Sequence, residues 1–230
     1  MQEHIWEREY QNPQLISLGE EAIQSVKDWV RFLRKEKGID LSGKKILDLG
    51  CGNGKNAIYI AEQGDDNEVS GIEISKTALM YAEKLAAEKK VRAHFLHQSI
   101  GTTFPFPDSH FDIVLDVTSS NSLNEKEREN YLSEMHRVMK PGAQLFIRAL
   151  SKDGDAHAKT LIKTNPGKEK DTYIMPGLLL TERVFTREDF VATYSPRFEI
   201  LTMEKEIHYT KFNDRSYKRH FWVVYLTKPE

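Results

Sequence analysis

The chain has 230 residues, of which 39% are hydrophobic and 30% are charged, and its formal net charge is −2. This length suits one domain, or one domain with a cap, and the composition excludes a membrane-spanning or disordered protein. The near-neutral charge makes a nucleic-acid-binding function unlikely, because such domains are usually strongly basic. The single cysteine, Cys51, excludes an internal disulfide and a cysteine-based zinc site.

Residues 1–14 lack the basic start and apolar core of a signal peptide, which predicts a cytoplasmic protein. They are expected to precede the first regular helix. Their aromatic residues Trp6 and Tyr10 fit two interpretations: a lid over a ligand, or a hydrophobic staple onto the next helix. Apolar residues then recur at helical spacing from about Leu15 to Lys37, which predicts an amphipathic helix.

The segment 44–57 combines a short apolar run with three closely spaced glycines. The run suits a buried parallel strand, and glycines allow a sharp turn and a close backbone approach to a ligand. Asp48 ends the strand, where it would repel a pyrophosphate and attract a cationic ligand group. The resulting pattern, D-x-G-x-G-x-G, differs from the dinucleotide-binding G-x-G-x-x-G and argues against a dehydrogenase.

This pattern resembles motif I of the class I S-adenosylmethionine-dependent methyltransferases. Segments 69–75, 104–114 and 135–147 resemble later parts of the same family in the same order. The resemblance implies an α/β fold: a Rossmann-like, doubly wound, seven-stranded, mostly parallel sheet with an antiparallel C-terminal strand pair. It implies one methyltransferase domain over residues 1–230, with 1–40 as the N-terminal lid and helix and 151–184 as a cap insertion.

The resemblance also implies S-adenosylmethionine as the cofactor. Asp48 would face its methionine amino group, and Glu73 would accept from both ribose hydroxyls, since a carboxylate has acceptor oxygens for two donors. Ser99 stands where the family usually has an adenine-binding Asp. Cys51 is interpreted as a small residue beside the cofactor, not as a nucleophile. The residues expected to bind the cofactor are Tyr10, Asp48, Gly50, Cys51, Gly52, Gly54, Glu73, Ile74, Ser99, Ile100, Asp116 and Val117.

Ser75 is predicted to be the N-cap of a helix that reaches about Lys89. The fourth strand is predicted over Phe111–Val117, and the S-x-x-E sequence from Ser122 predicts a capping box that opens a helix. The polar loop 116–121 follows that strand at the sheet edge where α/β proteins bind ligands. The polar side chains of this loop either contact the reacting groups or cap the helix that follows. Asp116 is one candidate general base.

A long segment, 151–184, follows the fifth strand without strong periodicity. Such a length predicts a substrate cap, a mobile flap or disorder. His157 within it is the second candidate catalytic residue, and His208 and His220 are further possible bases. No metal site is predicted, because the end of strand five lacks the carboxylates that a magnesium site needs.

A short helix from Thr186 and two strands, 198–207 and 220–227, complete the chain. The loop predicted between these strands is either a hairpin connection or a basic, aromatic nucleic-acid contact. Its basic and aromatic residues are Tyr209, Lys211, Phe212, Arg215, Tyr217, Lys218 and Arg219.

The predicted function is methyl transfer from S-adenosylmethionine to a small-molecule acceptor by in-line displacement. Two alternatives stay open: a protein (lysine) or RNA methyltransferase, and a non-catalytic module that binds S-adenosylmethionine. No membrane partner is expected. The sequence specifies neither the acceptor nor the oligomeric state.

Overall fold

The structure, a computed structural model, describes residues 2–212 and 215–230. The helices are α1 (Glu3–Gln11), α2 (Gln24–Lys35), α3 (Lys55–Ala61), α4 (Lys76–Lys89), α5 (Glu125–Val138), α6 (Ala156–Thr164) and α7 (Arg187–Tyr194), with a short 3-10 helix at Ser120–Ser122. The strands are β1 (Lys45–Leu49), β2 (Glu68–Glu73), β3 (Arg92–His97), β4 (Phe111–Val117), β5 (Met139–Leu150), β6 (Thr172–Met175), β7 (Leu180–Arg183), β8 (Glu199–Phe212) and β9 (Arg215–Thr227).

Seven of these strands form one sheet in the order β3-β2-β1-β4-β5-β9-β8. Strands β1 to β5 are parallel, whereas β9 runs antiparallel to β5 and β8 antiparallel to β9. The predicted doubly wound fold with an antiparallel C-terminal pair is therefore confirmed. The chain order reverses between β1 and β4, which is where open α/β sheets bind ligands.

Both faces of the sheet are covered by apolar side chains. On one face α5 and α7 contribute Tyr131, Met135 and Phe190 to a core with β4 and β5. On the other face α2 and α3 pack against the sheet, and Trp29 of α2 is fully buried with its ring 5.3 Å from that of Phe146. Burial on both faces explains why the central strands β1 and β4 are mostly apolar, whereas the edge strand β3 is not.

The predicted N-terminal organisation is wrong in two respects. Residues 3–11 are helical, and the helix expected over 15–37 is confined to Gln24–Lys35. The reason is Glu9, a buried carboxylate that accepts hydrogen bonds from the backbone N–H groups of residues 14, 15 and 16. These hydrogen bonds satisfy the backbone N–H groups of residues 14–16 in a turn, so residues 14–16 do not form the first turn of α2.

The capping box of α5 is present, but two residues later than predicted. Asn124 is the N-cap, and it exchanges hydrogen bonds with Glu127. Ser122 instead belongs to the 3-10 helix, whose turn brings the chain to the start of α5. The capping serine predicted for α4 is confirmed, because the Ser75 side chain accepts from the N–H of Ala78.

Residues 151–184, called the cap from here on, fold into regular secondary structure, and their role as a substrate cap stays a prediction. The cap contains α6 and the β6-β7 hairpin. Asp155 caps α6, and Tyr173, Leu178 and Leu180 are buried in a small core with Ile5 of α1. The apolar side chains that lacked helical or strand periodicity in sequence therefore fill a separate core.

The C-terminal hairpin is longer than predicted, because β8 and β9 stay paired up to Phe212 and Arg215. Most of the expected loop is strand. Residues 213 and 214 lie outside the described residues, as do the side chains of Lys211, Phe212 and Arg215. Among the helices of the described residues, none is both long and apolar enough to cross a membrane.

Truncation of the buried indole tests the core beneath the sheet. Trp29→Ala should lower the free energy of unfolding by about 3–5 kcal/mol, the usual cost of deleting a large buried aromatic group. The measurement is urea unfolding followed by circular dichroism. Tyr209→Ala is the control, since that side chain is 63% exposed and should change the free energy by less than about 0.5 kcal/mol.

Candidate active site

A cavity of about 260 Å³ opens at the carboxyl ends of β1, β2 and β4. Residues of α1 and the following turn line one side, and residues of the cap and of β9 line another. Of the predicted cofactor residues, the cavity is lined by Tyr10, Gly50, Glu73, Ile74, Ser99, Ile100 and Val117. The fold thus brings together residues from five separate segments of the chain.

The glycine loop requires glycine at two positions that lie against other elements. Gly50 and Gly52 both have positive φ values, +74° and +55°. A Cβ on Gly50 would lie 2.2 Å from the Ser119 Cβ, and one on Gly52 would lie 2.3 Å from the Tyr10 hydroxyl oxygen. Side chains here would therefore both strain the backbone and displace the neighbouring loop or helix.

Glu73, at the end of β2, holds the glycine loop against the start of α4. Its Oε2 accepts from the N–H of Gly52 at 2.9 Å, and its Oε1 accepts from those of Ile74 and Ser75 at 2.7 and 2.9 Å. Burial raises the pKa of this carboxyl, and the three backbone donors oppose that rise. Each oxygen still has acceptor capacity toward the cavity.

Asp48 lies beneath the glycine loop, and it does not line the cavity directly. It is 1% exposed, and its Oδ2 has no hydrogen-bond partner among the described residues. Burial raises its pKa well above the ordinary value, and the nearby carboxylates of Asp116 and Glu73 raise it further. An unpaired buried carboxylate is costly, so a cationic group beside it would be stabilising.

Cys51, Gly52 and Gly54 also lie within the loop and do not line the cavity. The thiol of Cys51 is buried, and burial together with the Asp48 charge raises its pKa well above the usual range. A thiol in this state is a poor nucleophile. The interpretation of Cys51 as a small packing residue is consistent with this geometry.

Asp116 does not occupy the position predicted for a catalytic base or a cofactor contact. It is completely buried and does not line the cavity. Its Oδ2 accepts from the Tyr131 hydroxyl at 2.7 Å, and its Oδ1 accepts from the N–H of Ser119 at 2.9 Å. Because both oxygens are bonded under the loop, Asp116 fixes the turn after β4.

The three candidate histidines also lie away from the cavity lining. The ring of His157 stacks on that of Tyr217, with centroids 4.1 Å apart. His220 is buried beside Gly154, and His208 is exposed on β8. None of these rings lines the cavity, so the predicted base role of His157 is not supported by its position.

Helix α1 covers the cavity and is anchored at its start and near its middle. The Gln2 side chain donates to the carbonyl of Thr181 at 2.8 Å and accepts from its N–H at 2.6 Å, as a neighbouring strand would. Glu7 accepts from the Ser75 hydroxyl and from the N–H and hydroxyl of Thr77, at the N-terminus of α4. Trp6 lies between these two anchors and Tyr10 follows the second, and both side chains line the cavity.

Trp6 and Tyr10 line the cavity, as a lid would, and Trp6 also packs against the small core around Ile5, so the lid interpretation stays a prediction. Tyr10 places its hydroxyl against the glycine loop, close to Glu73. Burial and that carboxylate raise the pKa of its phenol well above the usual value. The hydroxyl is thus a neutral hydrogen-bond donor at the loop.

The far side of the cavity is lined by charged residues that the sequence analysis did not select. Arg148 of β5 donates to Glu206 through Nε and Nη2, at 3.0 and 2.6 Å, and its guanidinium lies 3.4 Å from the ring centroid of Phe221. Arg219 of β9 donates to Asp155 at 2.8 Å. Glu182 of β7 is the third charged side chain here, and it is 7% exposed.

A signal for Glu182 is nonetheless present in the sequence. It lies with Arg183 inside an otherwise apolar run from residue 178 to 185. Charged residues are rarely buried unless they are paired or functional. An acid in such a run therefore marks a candidate site residue, although its partners come from distant segments.

Residues 46–142 match the sequence model of a family described as a methyltransferase domain. This segment carries the glycine loop, Glu73, nearly all of β1, all of β2 to β4 and the start of β5. Residues 46–142 thus have the sequence of a methyltransferase domain, and the chain has the fold of the class I S-adenosylmethionine-dependent methyltransferases.

The curated relatives match about half of this chain. A demethylmenaquinone methyltransferase of Geobacillus sp. (strain WCH70) is 35% identical over 104 residues, which cover 45% of this chain and 44% of the relative. The chain spans about half the length of the curated relatives it matches.

Two solved structures share the fold over most of the methyltransferase. A SAM-dependent methyltransferase from Methanosarcina mazei has a TM-score of 0.70 at 24% identity, covering 84% of this chain and 96% of that one. The 1,6-didemethyltoxoflavin-N1-methyltransferase of Burkholderia thailandensis, solved with 1,6-didemethyltoxoflavin and S-adenosylhomocysteine, has a TM-score of 0.65 at 16% identity, covering 90% and 79%. Because both sequence identities are below 25%, these two structures establish the fold of this chain and nothing further.

A search of the described residues for groups of three or more His, Cys, Asp or Glu side chains that could hold a metal ion found none.

The anchoring of α1 by Glu7 can be tested at neutral pH. Burial alone would raise the pKa of Glu7, but the hydrogen bonds from Thr77 and Ser75 lower it to about 2. Glu7→Gln removes a negative charge from the N-terminus of α4, which is worth about 0.3–1 kcal/mol. Amide hydrogen exchange in α1 should therefore become roughly two- to fivefold faster.

His4→Gln, on the exposed face of the same helix, is the matched control and should leave these exchange rates unchanged. Because the folded pKa of Glu7 is depressed, its contribution is complete above about pH 4.5 and is lost as the pH falls toward 2. Equal exchange rates in Glu7→Gln and the parent protein would contradict the anchoring role.

Proposed function

We propose that this protein transfers a methyl group from S-adenosylmethionine to a small-molecule acceptor held in the cavity under α1. The observation that carries the proposal is the arrangement of Asp48, the glycine loop and Glu73 at one end of a class I methyltransferase sheet. The relatives and the structural neighbours described above support the same class of reaction.

The residues present fit the methyl donor. The unpaired buried oxygen of Asp48 suits its ammonium group, and the available acceptor capacity of Glu73 suits the ribose hydroxyls. Ile74 and Ile100 supply apolar surface for the adenine ring, and Ser99 lies beside it. The Ser99 hydroxyl already accepts from the N–H of Gly101 at 3.1 Å, so it offers the ring a neutral contact.

When bound, S-adenosylmethionine supplies an electrophilic methyl carbon on a positively charged sulfur. The protein's part is to align the acceptor with that carbon, and good alignment can lower a barrier by about 7–11 kcal/mol. Residues of α1 and of the cap line two sides of the cavity, which supports a small acceptor.

The ribose assignment is tested by Glu73→Ala. Loss of the carboxylate removes the two ribose acceptors, and we expect the affinity for S-adenosylhomocysteine to fall at least tenfold in isothermal titration calorimetry, since hydrogen bonds to a charged group contribute about 1.5–3 kcal/mol. Glu68→Ala, at the opposite end of the same strand, is the control and should bind normally. Unchanged affinity in Glu73→Ala would rule out the assignment.

The activity is tested by incubating the protein with methyl-labelled S-adenosylmethionine and whole-cell extract, followed by separation of small molecules, protein and RNA. We expect label in the small-molecule fraction. Label in protein or RNA would replace the small-molecule acceptor by a macromolecule. Binding of S-adenosylhomocysteine without transfer to any fraction would indicate a non-catalytic module.

A further inference from the structure

The two arginines of the cavity are each paired with a carboxylate of their own. Arg148 makes two hydrogen bonds to Glu206, and Arg219 donates to Asp155 through Nε. The Arg219 guanidinium holds the pKa of Asp155 below its ordinary value, although burial acts in the opposite direction. With both positive charges balanced, this half of the cavity does not favour an anionic acceptor.

Glu182 is the acidic side chain left over from these two pairs. Its Oε2 accepts from the Tyr173 hydroxyl at 2.7 Å, whereas its Oε1 accepts no hydrogen bond from the residues that the structure describes. The side chain is buried from solvent, yet it lines the cavity. One carboxylate oxygen is therefore bonded to the protein and the other is available to a bound molecule.

A chain of hydrogen bonds fixes the position of this carboxylate. Tyr173 and Glu182 are directly paired across the β6-β7 hairpin. The Tyr173 hydroxyl also accepts from Arg219 Nη2 at 2.8 Å, and Arg219 is held in turn by Asp155 at the start of α6. The charged and titratable groups around Glu182 thus come from β6, β9 and the N-cap of α6.

We propose that Glu182 is the general base of the reaction and that the acceptor is a neutral compound that reacts through a hydroxyl group. This inference rests on the proposed methyl transfer. The acceptor oxygen uses a lone pair to form the bond to the methyl carbon, and the electron pair of the broken carbon–sulfur bond remains on sulfur. The hydroxyl proton moves to Glu182 Oε1, which leaves a neutral carboxylic acid.

The surroundings of Glu182 suit this task. Burial raises its pKa, while Arg219 and the Tyr173 hydroxyl limit the rise. A carboxylate with a raised pKa is a stronger base than an exposed one, and a base works best when its pKa is near the working pH. The ring of Phe221 and the side chains of Trp6 and Leu150 line the same cavity and offer apolar contacts to the rest of the acceptor.

The test compares Glu182→Gln with the parent protein and with Glu188→Gln, an exposed control on α7. Transfer of label to the small-molecule fraction of a cell extract should fall roughly 100-fold or more in Glu182→Gln, the usual contribution of a general base. Affinity for S-adenosylhomocysteine should be unchanged in calorimetry, which also shows that the variant is folded. Glu188→Gln should match the parent in both measurements.

Two further readouts separate a base from a structural residue. Infrared difference spectra between the parent and Glu182→Gln should show one carboxyl group that loses its proton above its ordinary pKa of 4.5. Tyr173→Phe removes a donor to the carboxylate, so the acidic limb of the pH–rate profile should move to higher pH. A structural role for Glu182 would predict no such movement.

The possible results distinguish the proposed methyl transfer from the proposed base role of Glu182. Label transfer by Glu182→Gln within threefold of the parent would overturn the base and leave methyl transfer in place. Absence of transfer by the parent protein itself would overturn both. A carboxyl that titrates at or below pH 4.5, or an acidic limb unmoved by Tyr173→Phe, would also overturn the assignment of Glu182.

Discussion

The carboxylate of Glu73 connects the parts of the molecule on which the cavity depends. It accepts backbone hydrogen bonds from the glycine loop on one side and from the start of α4 on the other. Ser75, one of those donors, also caps α4 and donates through its hydroxyl to Glu7 of the lid. One buried acid thus positions the loop, the helix and, through Ser75, the covering helix.

A second network of buried hydrogen bonds holds the elements of the cap in position. Arg219 joins Asp155, the N-cap of α6, to Tyr173 on the β6-β7 hairpin. Asp155 also accepts from the backbone of His220, so the cap is held to β9 by several bonds that share one carboxylate. Removing a single member would leave a buried charge without its partner, which is why such networks are usually complete.

The features that were predicted correctly from the sequence are those that depend on residues adjacent to one another along the chain. Strand β4 was placed at its observed ends, and the Ser75 cap was found, because both depend on adjacent residues. The same holds for the loop from Asp48 to Gly54. Its glycines are required by backbone angles and close contacts that a short motif encodes.

The errors arose where a distant partner decides the conformation. Asp116 was expected to face the cavity, but Tyr131 of α5 and the Ser119 turn bind it beneath the surface. Glu182 was overlooked because its partners Tyr173 and Arg219 lie 9 and 37 positions away along the chain. Hydrogen bonds between residues so far apart form only in the assembled fold. The helical and strand periodicity of the sequence does not predict them.

The pairing of the Gln2 amide with the backbone of Thr181 connects the cap to the helix on the opposite side of the cavity. Helix α1 is also attached, through Glu7, to the N-terminus of α4. A shift of the cap would therefore pull on the helix that carries Trp6 and Tyr10, so the two sides of the cavity are mechanically coupled.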